Sequence, residues 1–280
     1  SMELGDPWAP AMMDSLIASI RLWSSRFVEA EDLSRKALTS FRELGDKFGV
    51  VQALAPRMRA LVALGRTHEA ERGIEESLAL SESFGDLSFP MMAAAGAAVH
   101  LGMGERGLII SQQALERSLA MGADGTESRI TLALALCQVG RADEALVSLD
   151  DVNRRTPYLC AVRALARAIT ADPNGAIDDA ECVRADGGAS YLDSVIADSA
   201  AGAAQMQLGA GDLAVEWFDR ARSTAADAGD VVARELVALL RSVVLADDAY
   251  SDAGQLGPGW KVVAQSLAAL VVNRPGEAVG

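Results

Sequence analysis

Apolar residues recur at three- and four-residue intervals along most of the chain, in helix-length segments separated by glycine-bearing joints. In residues 68–84, Ala70, Ile74, Leu78 and Leu80 form an apolar stripe, with Glu69, Glu71, Glu75, Glu76 and Glu82 mostly opposite. That period predicts an amphipathic helix with one buried face. Residues 130–139 are nearly all apolar, which predicts a helix packed on several sides.

The joints repeat. Leu4-Gly5-Asp6, Leu44-Gly45-Asp46 and Phe84-Gly85-Asp86 follow one another at equal spacing, and Met121-Gly122-Ala123-Asp124 and Ala228-Gly229-Asp230 continue the series. Glycine in a left-handed conformation ends one helix, and the aspartate after it caps the next. A second joint falls midway through each unit, at Leu64-Gly65-Arg66-Thr67-His68-Glu69-Ala70, Val139-Gly140-Arg141-Ala142-Asp143-Glu144-Ala145 and Leu208-Gly209-Ala210-Gly211-Asp212-Leu213-Ala214. Degenerate copies occur near residues 25–30, 102–107 and 171–176.

Two joints per unit of about 38 residues predict a helix–turn–helix repeat. Six pairs are expected, over 8–44, 47–84, 88–121, 125–155, 157–186 and 190–228, with a seventh first helix over 231–246. The chain then divides into a lead-in (1–4, with Ser1-Met2 an expression scar), the repeats (5–246), a loop (247–259), a capping helix (260–272) and a tail (273–280). The tail carries no stopping signal, so a fragment of a longer protein is expected. Pro56 is expected to kink its helix, while Pro157 and Pro173 fall where helices start.

The spacing Gly65-x4-Ala70, with Leu61 before it and Leu78 after, resembles the tetratricopeptide (TPR) repeat. The aromatic positions usual in that family are mostly Ala, Leu or Met here, and the unit is longer than the family's ~34 residues. Gly5-Asp6-Pro7-Trp8, then Ala37-Leu38-x2-Phe41-Arg42-Glu43-Leu44-Gly45-Asp46-Lys47-Phe48-Gly49, is similar to segments of large actinobacterial signal-regulated transcription factors. These are of the Streptomyces antibiotic regulatory protein, maltose-regulator or cyclase-linked types. The resemblance runs from residue 4 to about 246. It implies an all-α fold, a right-handed superhelical stack of TPR-like hairpins (an α-solenoid), beside nucleotide-switch and DNA-binding domains in the same polypeptide.

Composition agrees with helix: 50% of residues are hydrophobic but only 5% aromatic, with Ala and Leu dominant. The net charge of −14 opposes direct contact with nucleic acid or an anionic membrane. No apolar run reaches the ~18 residues a membrane span needs, and no signal peptide opens the chain. A cytoplasmic location is expected. Cys137, Cys160 and Cys182 lie far apart without a CxxC pair and read as reduced core residues. No phosphate loop, HExxH or Ser/His/Asp arrangement occurs, so no enzyme, cofactor or metal is expected. The acid pairs Asp150-Asp151, Asp178-Asp179 and Asp247-Asp248 read as solvated faces, and Trp23 and Trp217 as core.

In such a stack the first helix of each pair lines the concave wall. First helices sum to about +3 and second helices to about −11, which predicts a weakly basic inner wall. The register points Arg59, His100, Gln138, Arg163, Arg167 and Gln207 inward, with Trp23 a further candidate. Arginines there suit a carboxylate or phosphate. The expected partner is a protein, a peptide or a small effector in the concave groove, together with other domains of the same polypeptide. An oligomerisation scaffold without an effector is the alternative, using Trp260, Val262, Val263, Leu267, Leu270 and Val271 as an apolar face.

Overall fold

The structure is a computed structural model that describes residues 7–83, 88–247, 250 and 254–272. Among these residues there are fourteen α-helices and no strand. Six antiparallel pairs come first: α1 (Trp8–Trp23) with α2 (Phe27–Leu44), α3 (Lys47–Ala63) with α4 (Thr67–Ser83), and α5 (Phe89–Leu101) with α6 (Glu105–Ala120). They continue with α7 (Thr126–Cys137) and α8 (Ala142–Asp150), α9 (Pro157–Ile169) and α10 (Pro173–Ala185), and α11 (Tyr191–Gln207) and α12 (Gly211–Ala228). Then come α13 (Val231–Leu245) and α14 (Pro258–Val272). None of these helices is long and apolar enough to cross a membrane.

The joints work as their chemistry requires. Gly45 and Gly229 end α2 and α12 at φ of 68° and 74°. The Asp46 and Asp230 side chains then accept from Phe48 N at 3.0 Å and Ala233 N at 2.8 Å. The matching motifs at residues 4–6 and 84–86 lie outside the described residues. Pro56 sits inside a continuous α3. A proline cannot donate to the carbonyl four residues earlier; Ser15 Oγ of α1 satisfies that Gln52 oxygen at 2.9 Å. The helix break is thus replaced by a contact between units.

Each first helix packs on its own second helix and on the first helices before and after it, while each second helix packs on the following first helix. First helices therefore form a continuous inner row. Small residues make the row tight: in α11, Ala197, Ala200, Ala201, Ala203 and Ala204 are all buried. The core is segmented along the array, with separate clusters around α1–α3 and a larger one running to α14. This is how a repeat array distributes its stability.

The sequence pattern did not show how far the array winds. It turns until α13 touches α3. Tyr191, opening α11, packs edge-on against Phe27, opening α2, with ring centroids 5.7 Å apart. Helix α14 packs against α13, as an end cap does, and also against α7, α9 and α11. Its start is tied to the end of α5: Gly257 N and Gly259 N donate to Leu101 O and Gly102 O, and Trp260 Nε1 donates to His100 O at 2.8 Å. The concave groove becomes a walled chamber.

Candidate functional site

First helices of all six pairs, with Trp260 of α14, enclose a cavity of about 630 Å³. That lies within the range of small-ligand sites, about 300–1,000 Å³. Its apolar wall includes Leu22, Met92, Leu134, Leu192 and Ile196, with Gly96 midway along α5. Polar groups on the wall include Gln52, Arg59, Glu127, Thr131, Tyr158 and Asp193.

Arg59 is half-buried, its guanidinium carbon 5.4 Å from the centre of the Trp23 ring. Among the described residues it makes no hydrogen bond and no ion pair. Glu127, in the first turn of α7, is exposed at the chamber mouth; its carboxylate makes no hydrogen bond or ion pair among the described residues, and partial burial followed by the nearby Asp193 charge raises it above the usual range. Asp193 is also raised by burial, although it closes the capping box of α11 by accepting from Ser190 N at 2.9 Å. Tyr158 Oη lies 3.3 Å from Thr131 Oγ1, and burial raises its phenol. The chamber thus holds one uncommitted cation and one uncommitted carboxylate against an apolar body. Such groups interact more strongly with a ligand once water is excluded.

A second cluster stands where His100 reaches the end of the array. His100 Nε2 lies 3.0 Å from Asp230 Oδ2, and the Tyr191 hydroxyl donates to the same oxygen at 2.8 Å. Burial alone would raise the Asp230 carboxyl; the His100 imidazole and the donors from Ala233 and Tyr191 outweigh it and hold it below its ordinary value. This buried group joins α5, α11 and α13, which closes the ring.

The six residues predicted to face inward separate into three groups. Arg59 and His100 line the chamber. Gln138 and Gln207 occupy equivalent positions, each donating to a backbone carbonyl 39 residues earlier, Val99 O and Ala168 O, both at 2.7 Å. They bind neighbouring units together. Arg163 and Arg167 turn toward α10, where Arg163 makes a forked contact with Asp179 at 2.5 and 2.8 Å and Arg167 reaches it at 2.9 Å. Asp179 is therefore a buried ion-pair centre, in contrast to the solvated face expected of Asp178-Asp179. Of the three arginines expected on the inner wall, Arg59 alone lines the chamber, because Arg163 and Arg167 pair with Asp179. Trp217 is buried as expected, whereas Trp23 is 67% exposed. Glu127 and Asp193 escaped notice because an acid in a helix's first turn ordinarily answers the macrodipole or a cap.

No protein-family model matches the chain, and no curated protein matches it significantly. Among solved structures eleven chains match. One is a crystal structure of a Rap protein complexed with competence and sporulation factor, with a TM-score of 0.50 and 14% identity, covering 94% of this chain and 89% of that one. The likeness establishes a TPR-type helical repeat fold. It does not establish the specific actinobacterial regulator type.

Proposed function

We propose that this chain is a non-enzymatic, ligand-binding repeat segment of a larger bacterial transcriptional or signalling regulator, with a short peptide or small effector seated in the chamber. The observation that carries the reading is the pairing of an apolar cavity of about 630 Å³ with an Arg59 guanidinium that rests on Trp23 without an anionic partner and a Glu127 carboxylate without a cationic one. A ligand with an apolar body and charged groups of both signs satisfies both. The similarly folded Rap protein, solved with a factor bound, supports the reading by analogy of fold. Because six units share the wall, a ligand there favours one winding of the array over others. It would shift how the array meets the remaining domains by its difference in affinity for the two states.

A thermal-shift screen of short peptides and small metabolites tests this. A ligand at about 100 times its Kd stabilises the folded state by about 2.7 kcal/mol. Arg59→Ala and Glu127→Gln should each weaken a hit by roughly tenfold or more. Equal shifts in the wild type and both variants would place binding elsewhere.

One observation favours the alternative of association between copies. Met13, Leu16, Ile20 and Trp23 form an exposed apolar stripe on α1, at the open end of the array. The face first suggested on α14 is less available, since Trp260, Val263 and Leu267 are buried internally. Light scattering across concentration separates the readings: a monomer throughout disfavours the scaffold.

A further inference from the structure

Two of the three cysteines, widely separated in sequence, meet in the fold. Cys160 of α9 and Cys182 of α10 bring their sulfurs to 2.8 Å. Cys160 is buried, while Cys182 is partly open to solvent. Arg155, just before α9, donates from Nε to Cys182 Sγ at 3.1 Å. Among the described residues this guanidinium forms no ion pair with a carboxylate; its polar contact is with sulfur.

We infer that Cys160 and Cys182 form an oxidisable dithiol, with Cys182 the entry thiol, Cys160 the resolving thiol and a small disulfide of the glutathione class as oxidant. Cys182 has what an entry thiol requires: access from solvent, and a cation, Arg155, held against its sulfur. Cys160 has the complementary properties. Burial, then the neighbouring Cys182, pushes its thiol up to about 11, so it is a poor first nucleophile. Placed in contact with Cys182, it is well situated for a second, intramolecular attack.

The chemistry balances. Cys182 loses its proton to solvent, and its thiolate attacks one sulfur of the small disulfide, forming a mixed disulfide and releasing one small thiolate. Cys160 then loses its proton as it attacks Cys182 Sγ, releasing the second small thiolate. Two protein thiols are oxidised to one disulfide, and one small disulfide is reduced to two thiols that take up the two protons. The new bond would fasten α9 to α10 one turn from the Arg163–Asp179 pair, in the unit that contributes Pro157 and Tyr158 to the chamber wall. Cys137 takes no part: it is fully buried, and burial pushes its thiol up to about 12.

The inference stands apart from ligand binding and is tested without a ligand. Reduced native protein is titrated with oxidised glutathione, then analysed by intact mass and peptide mapping after thiol blocking. The expected product has lost two hydrogens, carries a Cys160–Cys182 cross-linked peptide and retains a free Cys137. Cys160→Ser should stop at a stable glutathione adduct on Cys182. Arg155→Gln should slow the first step by about threefold to tenfold, because it removes the cation held against the reacting Cys182 sulfur. A cross-link that forms only in denaturant overturns the inference. So does an adduct on Cys182 of wild-type protein that never resolves, or an unchanged rate in Arg155→Gln.

Discussion

Gly96 lies in the middle of α5, where glycine costs a helix about 0.5–1 kcal/mol relative to alanine. Three other helix-interior glycines have a packing reason. A Cβ on Gly49 would collide with the Phe41 ring, on Gly73 it would stand 2.8 Å from Met58 Cγ, and on Gly202 2.8 Å from the Phe218 ring. At Gly96 a Cβ meets nothing within 4 Å, because the position faces the chamber. Gly96→Ala should therefore stabilise the protein by about 0.5–1 kcal/mol, while Gly49→Ala and Gly202→Ala should destabilise it. Gly96→Trp should fold and fill the chamber. The assays are thermal melts followed by circular dichroism, and titration with the dye 1-anilinonaphthalene-8-sulfonate as a chamber probe. Dye affinity should change little in Gly96→Ala and fall by roughly tenfold or more in Gly96→Trp, the scale of excluding one apolar ligand group. A destabilised Gly96→Ala, or undiminished dye binding in a folded Gly96→Trp, would refute the reasoning by showing that this wall does not face open space.

Asp230→Ala should destabilise by about 3–5 kcal/mol in chemical denaturation, since it strands buried His100 and removes the α13 cap. The Asp230 carboxyl is held below its unfolded value, so its contribution is present above about pH 4 and lost as pH falls through the lower folded value; the variant's stability should accordingly show less acid dependence. Asp198 behaves oppositely: burial pushes its carboxyl up to about 6 against the opposing charges of Arg220 and Arg184. Its folded value exceeds its unfolded one, so stability from this group is greatest below about pH 4 and declines as pH rises through 6. Asp198→Asn should gain about 1–3 kcal/mol at pH 7.5 and flatten that slope in denaturation measured from pH 4 to 8. Replacing Asp179 by Ala leaves half-buried Arg163 without its acid and Arg167 with only Asp172 and the Gly175 carbonyl, so a loss of about 3–5 kcal/mol is expected. Screen hits should bind this variant unchanged wherever it remains folded.

Periodic and local features were legible in the sequence. The joints at Gly45-Asp46 and Gly229-Asp230 could be read from chemistry that acts within a few residues, and the helix pairs followed from them. Contacts across the array could not be read in this way. The approach of Tyr191 to Phe27, and of Asp230 to His100, depends on small rotations summed over many units, and no single unit encodes that sum. The inward register succeeded for Arg59 and was too coarse for Arg163 and Arg167, whose long side chains reach the partner helix instead. A finer signal was present. Arg163 and Asp179 lie at equal distances on either side of Ala171, as do Cys160 and Cys182, and residues equidistant from the turn of an antiparallel helix pair tend to face one another. Glu127 offered no such mark, because only the closed shape of the array gives its position meaning.

The most direct test is a crystal structure of the chain with the tightest compound from the screen. The account predicts ligand density inside the ring, with one charged end at Arg59 and the other at Glu127. Density confined to the outer faces of the second helices, with the interior unchanged, would contradict it.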